Sequence, residues 1–116
     1  MLDKYARLMA HGRQNSIIIP GELIQWKDND FSLDELKMLR FIDVFRNYGF
    51  KYFEAPHLLN RGENDDWGDP ELKVAYTKKR YYTENGKEDI QKLMTLIKNF
   101  TKANGLTDNW LQHIAD

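Results

Sequence analysis

The stretch Phe31–Pro56, FSLDELKMLRFIDVFRNYGFKYFEAP, constrains the fold more than any other part of the chain. It reads as an amphipathic helix, a glycine stop and a buried strand. Ser32 and Glu35 have the spacing of a capping box, and Phe31 and Leu36 that of a hydrophobic staple. Asp34 adds negative charge at the positive end of the helix dipole. Leu36, Met38, Leu39, Phe41, Ile42, Val44 and Phe45 form an apolar stripe wider than one face requires, which predicts a helix covered on two sides. Lys37, Arg40, Asp43 and Arg46 remain for solvent. Asn47-Tyr48-Gly49 ends the helix, because Gly49 can take the left-handed C-cap conformation. Phe50 to Ala55 is aromatic and alternating, a strand pattern that Pro56 closes.

Gly49-Phe50-x-x-Phe53-x-x-Pro56, following a helix, resembles the first motif of class II aminoacyl-tRNA synthetases. That motif is a dimer-interface helix and strand ending in proline. The likeness covers a small part of the chain. The arginine-bearing second and third motifs of that family have no counterpart here, and no residue roles carry over.

The remaining elements follow from periodicity and turn chemistry. Leu2, Tyr5, Ala6, Leu8 and Met9 predict a helix over 2–11, which Gly12 breaks. Ser16-Ile17-Ile18-Ile19 predicts a short buried strand, and Pro20-Gly21 a type II turn. Residues 22–26 alternate and fit a second strand or a helical turn, with the strand favoured, and Asp28-Asn29-Asp30 forms a loop. Residues 57–71 read as irregular. Asp69-Pro70-Glu71 predicts a short helical turn over 70–73, with a strand within 74–83. Asn85 and Glu88 make a second capping box for a helix over 87–103. Asn104-Gly105 stops that helix and Leu106 closes over it. Thr107 caps a last short helix bearing Trp110, Leu111 and Ile114. These elements predict one α+β domain over residues 1–116, with about four helices and a small antiparallel or mixed sheet of three to four short strands.

Composition sets limits on function. A chain of 116 residues that is 41% hydrophobic and 13% aromatic can bury a core, so a globular rather than a disordered chain is expected. There is no cysteine, which excludes disulfides, thiolate catalysis, Cys-ligated zinc and iron–sulfur clusters. The lack of cysteine fits a reducing, cytoplasmic setting. The N-terminus lacks the apolar run and cleavage site of a signal peptide, and no segment approaches the length of a membrane span. The net charge of −1 argues against a general nucleic-acid coat.

Three surfaces carry candidate chemistry. The first is the acidic stretch Glu63, Asp65, Asp66, Asp69 and Glu71, where clustered carboxylates suit hard cations. It departs from the calcium-loop pattern: with Gly68 at the glycine position, Val74 stands where the bidentate Glu belongs. No metal and no cofactor are therefore expected. His57 follows the central strand and could pair with Asp65, Asp66 or Asp69 as a general base, in a metal-assisted hydrolase. His11 and His113 have no zinc-like spacing to it. The chain has no phosphate loop, dinucleotide fingerprint or serine-nucleophile motif.

The second surface is Lys78, Lys79, Arg80 and Tyr82. Cations interleaved with aromatics suit single strands or RNA, although lysines also guard exposed strand edges. The third is a protein-binding set, Trp67, Asp66, Arg61, Tyr76 and Tyr81, because Trp, Tyr and Arg anchor interfaces. Without an enzymatic signature, the favoured expectation is a small, soluble, non-enzymatic, protein-binding inhibitor or regulator. Such compositions are common in phage and mobile-element products acting on host machinery. Nucleic-acid binding and hydrolysis are the alternatives. A homodimer burying the broad helix face is compatible with all three.

Overall fold

The computed structural model describes residues 2–61 and 71–114. The chain folds as a compact α+β domain. The elements, in order, are α1 (Leu2–His11), β1 (Ser16–Ile18), β2 (Ile24–Lys27), β3 (Asp30–Leu33), α2 (Glu35–Asn47), β4 (Tyr52–Glu54), β5 (Leu59–Arg61), β6 (Leu72–Val74), α3 (Glu84–Ala103) and β7 (Trp110–Leu111). Gly21–Leu23 and Thr107–Asn109 are single 3-10 turns.

The central sheet has three strands in the order β1-β4-β7, and both pairings are parallel. Phe53 of β4 lies opposite Ile17 on one side and Trp110 on the other. Parallel neighbours need crossover connections. Each crossover here is a two-stranded antiparallel hairpin followed by a helix: β2–β3 with α2, then β5–β6 with α3. The strand pairing is mixed, as expected, but divided: a small parallel sheet and two separate antiparallel hairpins.

Local chemistry explains the details that sequence patterns misplaced. Asp28 and Asn29 both have positive φ, +54° and +59°, the geometry of a two-residue I′ hairpin turn. The expected loop is therefore the tip of β2–β3. The hairpin pairs Ser32 with Gln25 and Phe31 with Trp26, whose rings lie 4.6 Å apart. Ser32 is thereby held in a strand, and Asp34 caps α2 instead, accepting from the Lys37 N–H at 3.1 Å. With Phe31 buried in the hairpin the staple does not form, and Leu36 stays 79% exposed. Of the wide stripe of α2, Met38, Ile42 and Phe45 are buried, Leu39, Phe41 and Val44 are half-buried, and Leu36 stands in solvent.

Both long helices stop as the glycine pattern predicts. Gly49 has φ +90°, and the Phe50 N–H reaches back to the Phe45 carbonyl while their rings pack at 5.0 Å. Gly105 has φ +65°, and Leu106, fully buried, closes over α3 in the same way. The cap of α3 is Thr83 rather than Asn85: its Oγ1 accepts from the Gly86 N–H at 3.0 Å and donates to the Arg80 carbonyl at 2.8 Å.

Several boundaries move. Pro20-Gly21 opens a 3-10 turn, with Leu23 N–H on the Pro20 carbonyl, instead of a type II turn. β5 arises inside the stretch read as irregular. The strand expected within 74–83 is instead β6, which ends at Val74, and a turn with Lys78 at φ +63° follows. The helical turn expected over 70–73 gives way to strand from Leu72. Among the described residues there are three α-helices rather than four. The segment after Thr107 takes one 3-10 turn and then pairs with β4, because Trp110 fills the space between Phe53 and Phe100.

Candidate functional site

Side chains alternate across the parallel sheet. One face carries Ile17, Phe53 and Trp110 and continues into Ile19 and Ala55. It is the core face: Phe53, Ile19 and Ala55 are buried, and Trp110 meets Phe100 of α3 at 6.3 Å. The opposite face carries Ile18, Tyr52, Glu54 and Leu111. There Ile18 is 55% exposed, Leu111 43% and Tyr52 38%. Parallel sheets ordinarily bury both faces. Here, among the described residues, one face carries no covering layer.

At the carboxyl end of that open face three polar groups converge. His113 Nε2 lies 3.5 Å from Glu54 Oε2, and the His113 ring is 5.2 Å from the ring of His57. The parallel register brings them together: Glu54 pairs with Leu111, so His113, two residues on, points to the same side. Sequence spacing gave no hint of Glu54 or His113 as partners of His57. The carboxyl ends of parallel strands are where open α/β sheets usually bind ligands. Of the three groups, His57 lines a cleft of about 380 Å³, together with Ile18, Ile19, Gly21, Pro56 and Tyr76. Such a carboxylate–imidazole pair can orient a histidine and accept a proton. No three His, Asp or Glu side chains among the described residues are arranged to hold a metal ion.

The residues singled out from sequence separate into two groups. Tyr76 is half-buried. Its hydroxyl donates to the Gly21 carbonyl at 3.0 Å, and its ring meets Phe31 edge-on at 5.9 Å. Burial, with a smaller contribution from the Glu22 charge, pushes its pKa up to about 12. Lys79 turns inward as well, with Nζ 3.0 Å from Asp89 Oδ2 and 5.2 Å from the Trp26 ring centre. Arg80 is held by Glu71, Nε to Oε2 at 3.1 Å, and donates to the Tyr82 hydroxyl at 3.0 Å. Lys78, Tyr81 and Tyr82 are exposed on the turn, the two tyrosine rings edge to face at 5.5 Å. Two of the three cations of the basic patch thus have their charge opposed within the fold. Arg61 ends β5, exposed and opposite Leu72. Trp67, Asp66 and the acidic stretch 63–69 lie outside the described residues, as does the proposed pairing of His57 with Asp65, Asp66 or Asp69.

Among the described residues no helix is long and apolar enough to cross a membrane. Comparison with models of known protein families finds no match, and comparison with curated proteins finds none either. The synthetase-like motif around Gly49 gains no support beyond its own residues.

Proposed function

We propose that this protein is a non-enzymatic protein-binding module, a small inhibitor or regulator that works by docking on another protein. The observation that carries the reading is the uncovered face of the parallel sheet, where Ile18, Tyr52 and Leu111 stand exposed around Glu54. Leaving large apolar side chains in water costs roughly 25 cal/mol per Å² of apolar surface, which a docked protein recovers. Tyrosine and aliphatic residues around a single carboxylate are the composition of an interface core with a polar fixing point. The immobilised whole chain should capture a protein stoichiometrically from the extract of its own cells or their host. Ile18→Asp and Tyr52→Asp, on an exposed face, should keep the fold and lose the capture. Equal capture by wild type and both variants would overturn the proposal.

A second reading rests on Glu54, His57 and His113. As an acid–base group beside a cleft, they suit a hydrolase better than the single His57 did. Turnover of a simple phosphate or carboxylate ester, abolished by His113→Ala and reduced by Glu54→Gln, would support it. No turnover above the buffer rate with or without divalent ions removes it.

A further inference from the structure

β7 is an edge strand, paired on one side to β4 and on the other to no strand among the described residues. α3 packs against it through Phe100, whose ring lies 6.3 Å from that of Trp110. Between α3 and β7 lies a groove of about 310 Å³, whose walls include Met94, Ile97 and Lys98 from the helix, Trp110 from the strand and Gln112 just after it. Met94 and Gln112 also line a second cavity of about 330 Å³, which continues toward Leu58, Ile90 and Ile114. Met94 is 39% exposed and Ile114 62%. The two cavities meet at Met94 and Gln112, and the first of them borders the unpaired side of β7.

We propose that the open edge of β7 receives an extended segment of a partner protein as a fourth strand of the sheet. The inference rests on the protein-binding reading and names how the partner is held. Strand addition takes its affinity from main-chain hydrogen bonds and its specificity from pockets for alternate side chains. The Leu111 and Ile114 carbonyls accept from the Ala55, Leu58 and Leu59 amides, which fixes the inner edge of this segment. β7 itself is two residues long, and beyond it the Gln112 side chain donates to the His113 carbonyl at 2.9 Å, so the outer edge on offer is the short one at Trp110–Gln112. The groove combines apolar side chains with Gln91, Gln112 and three threonines, and among its described lining residues Lys98 is the one charge. The complementary segment carries alternate apolar side chains toward α3 and a carboxylate beside Lys98. A second copy of this chain does not meet that requirement. Its own Trp110 is packed on its own Phe100 and donates to its own Gln112 at 3.1 Å, so it has no inward side chains to lend. It would also bring a second Lys98 of the same sign to the seam.

The test uses the whole chain and a randomised linear peptide library displayed on phage. Selected peptides should alternate apolar residues and carry Asp or Glu at a fixed place, and the selection should vanish with Met94→Glu. With Lys98→Glu the acidic position should turn basic. A proline or N-methyl residue at the hydrogen-bonding positions should weaken a selected peptide at least about tenfold. No selection, selection without alternation, or selection that survives Met94→Glu overturns the inference. Capture of a protein that is lost with Ile18→Asp but survives Met94→Glu overturns strand addition alone and leaves the protein-binding reading standing. Absence of any capture removes both.

Discussion

Among single residues, Lys79 and Asp89 carry the most consequential placement. Asp89 is 3% exposed at the first turns of α3. Lys79 reaches it with Nζ 3.0 Å from Oδ2, an ion pair that opposes the buried charge. Removing one partner of such a pair strands the other charge in a poor solvent. Lys79→Met should cost about 2–3 kcal/mol in a urea titration, allowing for the partial exposure of the lysine. The double variant Lys79→Met/Asp89→Leu should recover most of that loss. A double variant no better than the single would show that the pair stabilises beyond offsetting its own burial.

Tyr76 gives a second residue-scale prediction, with a definite sign. Its folded-state pKa of about 12 lies above the ordinary value of 10.0. Between those values the folded chain keeps a proton that the unfolded chain has released. Stability from this group is therefore whole below the lower value and declines as pH rises toward the upper one. The expected loss is about 1–2 kcal/mol after allowing for partial exposure, read as the difference in urea midpoints between wild type and Tyr76→Phe across that window. Tyr76→Phe should itself cost about 1 kcal/mol at neutral pH, because the Gly21 carbonyl loses its donor.

At the scale of elements, helices were legible in the chain and strands largely were not. The stripes Met38–Ile42–Phe45 and Leu93–Ile97–Phe100 face the core as their periodicity predicts, and Gly49 and Gly105 stop their helices where left-handed conformations are needed. Helical contacts are local, so the pattern is written within one segment. β5, β6 and β7 have only three, three and two residues. No window that short carries a period; such strands exist because a distant strand pairs with them. The candidate site shares this dependence. His113 meets Glu54 only through the β4–β7 register, and no spacing within the chain encodes that register. The caps were misread for a related reason. Ser32 and Asn85 fit the capping pattern, but hairpin pairing claimed Ser32, and the turn at Arg80 placed Thr83 at the helix start. Gly86 marks that turn. A Cβ there would run into the Arg80 carbonyl, a backbone atom that cannot step aside. Gly86→Ala should cost about 1–3 kcal/mol despite the better helix propensity of alanine, and thermal melts against Thr83→Ala would separate the clash from loss of the cap.

Over the whole molecule, β4 is shared by two crossovers of the same plan, each a hairpin, a helix and a glycine stop. Trp26 belongs to the first and Trp110 to the second. Phe53, with no exposed surface, sits in the strand common to both, between Ile17 and Trp110. If the two crossovers form one cooperative domain, they cannot unfold separately, because each uses the same strand as its inner wall. Phe53→Ala removes that wall and should cost about 3–5 kcal/mol, a large share of the 5–15 kcal/mol typical of a domain. The loss should shift far-UV circular dichroism and tryptophan fluorescence together, and single-tryptophan variants retaining only Trp26 or only Trp110 should report the same midpoint. Ile17→Ala, half-buried on the edge strand, should cost clearly less. Midpoints that separate between the Trp26 and Trp110 reporters would show two units meeting at β4. The uncovered sheet face would then be a seam between semi-independent halves, and a partner binding across Ile18 and Leu111 would hold those halves together as well as dock on them.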